Sequence, residues 1–283
     1  MNTCTCGVVC GVRTLVVHIG GIGDFLLACP SIFRLAEEEP VELLGRIDRL
    51  ELAASRVSAV HDVHKVDFES VFIEPSQTLR DFLARFDRVV VWMRDDGTLL
   101  QPIQQCGVRD VRVFPGLPPS NWPEHASVYY LRCLGIDSAP PLSLHFEPSA
   151  MPRDVIIHPG SGSVHKNWSM EEFAALARGL ESRGRSVTWS LGPAEERMPL
   201  PEAACVIRPE APVMMAREIA AARLYIGNDS GITHLAAASG CKTVAVFGPT
   251  DPKVWAPRGP NVTVVQGNPW PCLDLVLTAA LGT

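Results

Sequence analysis

No apolar run in the 283-residue sequence reaches the roughly 18 residues that a membrane-spanning helix needs, so a helical membrane protein is excluded. Dense Lys/Arg runs are missing as well. With 25 Lys and Arg against 31 Asp and Glu, and a formal net charge of -6, the chain has no electrostatic footprint for a polyanion, and nucleic acid is excluded as a partner. The cysteines number nine, an odd count without paired C-x-x-C knuckles. Cys29, Cys133, Cys205 and Cys241 lie in apolar segments and are expected as reduced core thiols rather than a disulfide framework. Cys4, Cys6 and Cys10 are spaced C-x-C-x3-C, which suits a frayed N-terminal tail better than a zinc site. Arg13 is the only early charge, beyond a short, weakly apolar stretch, and the expected location is cytoplasmic.

A hydrophobic content of 47% can fill one large core or two modest ones, and the strand and helix rhythm favours two. Short β-branched runs alternate with helical stretches, the pattern of βαβ units and a mostly parallel sheet. Leu15 to Ile19 is an expected strand, followed by a helix from about Asp24 to Glu38. Further strands are expected at Val41 to Leu44, Val71 to Ile73, Arg88 to Met93 and Val111 to Phe114. Two Pro-rich stretches, Pro115 to Pro123 and Glu147 to Pro152, flank the helix-like HASVYYLRCLG, and the second is taken as a linker. A new rhythm starts at Val155. The expected domains are therefore 1–148 and 149–283, with a last helix free to pack back on the first domain.

Three loops carry chemistry, each just beyond the C-terminal end of an expected strand, where open α/β sheets bind ligands. In GNDSGITHLAAASG, Gly227 to Gly240, a strand runs into Asn228, Asp229, Ser230 and Gly231, and a small-residue helix starts there and stops at Gly240. Its N-terminus is an anion site, and Gly231 removes the side chain that would keep a phosphate away. Asp229 or Ser230 could instead simply cap the helix. In HPGSGSVHKNW, His158 to Trp168, Gly160, Ser161, Gly162 and Ser163 offer donors, and Lys166 can neutralise a diphosphate. The Walker A spacing is missing, which argues against an ATPase. Ser169 and Glu172 form a capping box, and His158 and His165 are read as solvated loop histidines. In HIGGIGDFLLACP, His18 to Pro30, the glycines Gly20, Gly21 and Gly23 fail the dinucleotide fingerprint, because no glycine follows at Leu26. Asp24 would repel a pyrophosphate. It is either an N-terminal cap or a general base aimed at a hydroxyl, with the glycines admitting an acceptor.

In this order, HIGGIGDFLLACPSI, HPGSGSVHKNWSMEEFAALA, LGPAEE and YIGNDSGITHLAAASGCKTVAVFGPTDP resemble the family 9 glycosyltransferases, the ADP-heptose:lipopolysaccharide heptosyltransferases and their relatives. The likeness is fullest in the C-terminal half. It implies a GT-B type α/β fold, two Rossmann-like domains with a cleft between them. The first would face the acceptor and the second the nucleotide sugar. It also implies an inverting transfer of a sugar, heptose above all, from a nucleotide diphosphate donor to a lipopolysaccharide-core or other glycan hydroxyl. No cofactor or metal is expected. By the same likeness Asp24 falls on the catalytic base, Ser161 and Lys166 on phosphate contacts and Glu195 on a nucleoside or ribose contact. Gly162 and Ser163 belong to the phosphate loop, and Asp229, Ser230, Gly231 and His234 to the donor loop. A glycolipid acceptor would bring the chain to the inner face of the inner membrane. A sugar-nucleotide epimerase, a non-catalytic sugar-nucleotide binder and, with least support, an NAD-dependent enzyme are the alternatives.

Overall fold

The structure is a computed structural model that describes residues 12–192, 195, 198, 200–201 and 204–282. Cys4, Cys6 and Cys10, and Pro193, Ala194 and Glu196 of the LGPAEE segment, lie outside the described residues.

Eleven strands among the described residues form two fully parallel sheets. The first holds β1 (Thr14–His18), β2 (Val41–Gly45), β3 (Ala59–Asp62), β4 (Arg88–Trp92) and β5 (Asp110–Phe114), in the order β3-β2-β1-β4-β5. Its central strands are buried along their whole length, as a sheet covered on both faces requires. The second holds β6 (Arg153–His158), β7 (Val187–Ser190), β8 (Cys205–Ile207), β9 (Ala222–Asn228), β10 (Thr243–Phe247) and β11 (Val262–Gln266), in the order β11-β10-β9-β6-β7-β8. That is the doubly wound order, with its switch point between β6 and β9.

The helices are α1 (Ile22–Ala36), α2 (Ile47–Leu50), α3 (Gln77–Leu83), α4 (Leu100–Gln105), α5 (Ala126–Leu134), α6 (Met170–Glu181), α7 (Pro212–Ala220), α8 (Gly231–Ala238), α9 (Pro252–Trp255) and α10 (Leu273–Gly282). In α6 the buried residues Phe173, Leu176, Ala177 and Leu180 recur at helical spacing, and Ser169 accepts from Glu172 N at 3.2 Å to start it. Gly135 and Gly240 take positive φ just past α5 and α8, which a side chain would oppose.

The Val71 to Ile73 strand does not form. Phe68 and Val71, three apart, are buried on one side of a 3-10 helix over Phe68–Phe72, while Ile73 is exposed. Of the four expected core thiols, Cys29 and Cys241 are buried, Cys133 is half-buried, and Cys205 is exposed on the edge strand β8.

Among the described residues two compact units emerge, one drawn from 12–19, 32–50 and 54–116, the other from 20–31, 51–53 and 117–282. The expected division at 148/149 separates the sheets, but the segment before it is bonded into the second unit. Leu144 N donates to Ala238 O at 2.8 Å, Ser149 N to Arg217 O at 2.9 Å, and His125 Nε2 to Ala256 O at 2.7 Å. The start of α1 joins the same unit because its backbone closes on that of α8. A Cβ at Gly231 would stand 2.7 Å from Gly23 N and 3.0 Å from Ile22 Cβ. Helix α10, which the sequence left free to pack back on the first domain, lies on α6, with Val276 and Ala280 in the core of the second unit.

Candidate functional site

The C-terminal ends of β6 and β9 neighbour each other, with His158 in register with Gly227. Two of the three loops therefore leave the sheet side by side. At β9, Ser230 is the N-cap of α8, its hydroxyl accepting from Thr233 N at 3.3 Å. The capping alternative thus holds for Ser230. Thr233 Oγ1 in turn donates to Asn228 O at 2.5 Å. The N–H groups of Gly231 and Ile232 open the helix, where geometry leaves them without intrahelical acceptors and with the positive end of the dipole.

Asp229 precedes this turn and is buried, and Lys166 Nζ reaches its Oδ2 at 3.0 Å from the other loop, at angles outside hydrogen-bond geometry. The lysine remains 37% exposed, so its ammonium can still meet an incoming anion. His234 lies one turn into α8 and is buried. Burial brings its pKa down to about 4, opposed by Asp229, with Lys166 lowering it further and the Trp255 carbonyl raising it. The imidazole is therefore neutral at physiological pH and adds no charge to the site.

The His158 to Trp168 loop is organised from within. Ser161 Oγ lies 2.7 Å from both Ser163 O and Asn167 Oδ1 and accepts from Ser163 N at 3.2 Å, so this hydroxyl shapes the loop. Gly162 is exposed with open space where a Cβ would stand, and Ser163 is half-buried. His165 is exposed, but His158 is not the solvated residue expected. It is buried, and its Nδ1 donates to Ser190 O at 2.9 Å. Burial lowers its pKa against the opposing pull of Glu195. Glu195 is itself buried, accepts from Gly192 N at 2.8 Å, and lies so close over Gly160 that a Cβ there would overlap its carboxyl group.

Asp24 is half-buried in the first turn of α1, and its Oδ2 accepts from Gly21 N at 3.1 Å. It therefore caps this turn, as one of the two expected readings required. The glycines do different work from that expected. Gly23 and Gly231 face each other, so the missing side chain of Gly231 admits the α1 backbone rather than a phosphate, and that of Gly23 admits α8 rather than an acceptor. Gly21 lies beside the Asp24 carboxylate, and Gly20 is half-buried.

One residue that sequence reasoning missed is Asn228. Fully buried, it donates from Nδ2 to Pro159 O at 2.7 Å and accepts at Oδ1 from Trp168 N at 3.0 Å. Its position as the last residue of a strand before a helix-capping turn was the available signal.

Two parallel sheets of this order define a GT-B type protein with two Rossmann-like domains, and solved structures share the fold. Over 90% of this chain, the glycosyl transferase family 9 structure from Veillonella parvula DSM 2008 matches with a TM-score of 0.73 at 16% identity, covering 87% of that chain. The E. coli ADP-heptose lps heptosyltransferase II matches with a TM-score of 0.67 at 18% identity, over 95% of this chain and 98% of that one. Residues 138–279, half of the chain, match the family described as glycosyltransferase family 9 (heptosyltransferase), and the chain belongs to that family. Lipopolysaccharide heptosyltransferase 1 of Pseudomonas aeruginosa is 34% identical over 132 residues, 44% of this chain. The match spans 36% of that relative, about a third of its length.

Proposed function

We propose that this chain transfers a heptose from ADP-heptose to a hydroxyl of the lipopolysaccharide core or a related glycan, with inversion and without a metal. Family membership supports the reaction class. The names of the E. coli and P. aeruginosa relatives support heptose, ADP and lipopolysaccharide. The observation that carries the reading is the meeting of a half-exposed Lys166 with the N-terminus of α8 at the switch point of the second sheet. An ammonium and free N–H groups there suit a diphosphate leaving group, whose developing charge they stabilise in the transition state.

In the step itself, the acceptor oxygen bonds to the anomeric carbon from the face opposite the diphosphate. The bond from that carbon to the phosphate oxygen breaks, and the electron pair leaves with ADP. The hydroxyl proton passes to the Asp24 carboxylate. Glu195, held by Gly192 N and Gly160, supplies acceptor oxygens for ribose hydroxyls. Positive charge comes from Lys166 and the helix dipole, so turnover should survive EDTA. Loss of activity in chelator, restored by magnesium or manganese, would refute metal independence. The enzyme would work in the cytoplasm, meeting its glycolipid acceptor at the inner membrane.

Calorimetry against a panel of nucleoside diphosphates tests the donor assignment. ADP should bind, and Lys166→Ala should weaken it by about 1 to 3 kcal/mol, the loss of a charged hydrogen bond. Unchanged affinity in a folded variant would remove Lys166 from the site.

A further inference from the structure

We infer that Asn228 is a positioning residue for the donor site, holding Lys166 in place by clasping both ends of the 159–168 loop. This rests on the reading of Lys166 as a diphosphate contact.

The Asn228 side chain is fully buried and has both of its groups engaged, with Nδ2 on the carbonyl of Pro159 and Oδ1 on the N–H of Trp168. Those backbone groups bracket the segment that carries Ser161 and Lys166. Trp168 is itself fixed, its indole buried and set edge-on against Phe173 at 5.1 Å. A short planar amide presents a donor and an acceptor together, which a carboxylate cannot do and a hydroxyl does from a single atom. The backbone of the same residue accepts from Thr233 Oγ1 in α8, and the next residue, Asp229, is the ion-pair partner of Lys166. The two loops are thus closed into a ring by the amide clasp on one side and the ion pair on the other. A loop released from the clasp would have to order Lys166 at the moment of binding, and that ordering entropy weakens the contact.

A residue of purely structural value would lower stability and affect ADP binding independently of Lys166. The positioning role predicts coupling. In the full-length protein, Asn228→Ser should weaken ADP binding about tenfold in the wild-type background and by less than about twofold in a Lys166→Ala background. Asn228→Asp, which turns an oxygen towards the Pro159 carbonyl, should follow the same pattern. Equal weakening in both backgrounds would overturn the inference. If neither variant folds, hydrogen exchange of the wild-type protein decides it. The Trp168 amide should exchange far more slowly than the Gly162 amide without ligand, and equal rates would show that the clasp does not exist. Failure of the wild-type protein to bind ADP would count against the functional reading, and the Trp168 exchange rate would still test the clasp.

Discussion

The two sheets share a winding order and both carry ion pairs at the N-terminal ends of their strands, Arg153 with Glu218 and Arg185 with Asp154 in the second, but they differ in the balance of their polar groups. In the first unit they gather around the N-terminal ends of the strands and are charged. Glu42 meets Arg13 at 2.9 Å, His61 at 2.6 Å and Arg85 at 3.4 Å, while Arg88 bonds Glu39 and Asp110. Burial pushes the Glu42 pKa up, but His61, Arg13 and Arg85 together hold it below the usual carboxylate range. The Arg112 hydrogen bond does most to lower Asp110. In the second unit the C-terminal ends carry buried side chains that are mostly neutral, namely His158, Asn228, Thr233 and His234, with Lys166 and Asp229 as an ion pair. Ligands bind open α/β sheets at the C-terminal ends. Charge density therefore marks the frame of this protein, and buried neutral polarity marks its candidate site.

Acid should separate the two units most strongly. His125 and His234 are brought from 6.5 down to about 4, chiefly by burial, so the unfolded chain binds protons that the folded one refuses. Their full stability is present above about 6.5 and is lost as pH falls towards about 4, about 3 kcal/mol for each imidazole. The first unit has one such residue, His18, also at about 4. Its lowered carboxylates keep their contribution until the pH falls further, through their folded-state values. Hydrogen exchange followed from neutral pH to pH 4 should show the second unit losing protection first, and the reverse order would break the comparison.

Substitutions sharpen it. Asp24→Asn keeps an oxygen for Gly21 N but removes the proposed base, so transfer should drop by about 10²-fold or more with ADP affinity unchanged. Transfer at the wild-type rate would leave Asp24 as a cap alone. Glu42→Gln in the first unit should cost about 1.5 to 3 kcal/mol in chemical denaturation, because Arg13 and Arg85 lose their charged partner, while ADP affinity stays the same. A change in ADP affinity there would mean that the frame and the site are not separate. Smallest is Ser169→Ala, which removes the α6 cap and should cost about 1 kcal/mol, read from a thermal melt, without touching the clasp on Trp168.

The parts of the fold that were legible in the sequence are those whose burial is continuous. β1, β2 and β6 are apolar runs, so their pattern announces a covered central strand. The edge strands β3, β8 and β11 escaped, while the equally half-exposed edge strand β5 was legible from the alternation in its VRVF run. In the site, Lys166, Asp229, Ser230 and Asp24 could be named because each is a polar residue at a strand-to-helix turn. The Asn228 clasp could not, because its partners are backbone groups 60 and 69 residues away, and peptide groups carry no signature in sequence.

The sequence alone determined two parallel α/β layers and the three loops at their strand ends, since periodicity and turn chemistry are local properties. Only the tertiary structure decided that 20–31 and 117–152 join the second unit, that Gly23 and Gly231 serve each other's backbones, and that His234 is neutral. Each of these depends on which chain segments exclude water from one another, and that is set when distant segments pack.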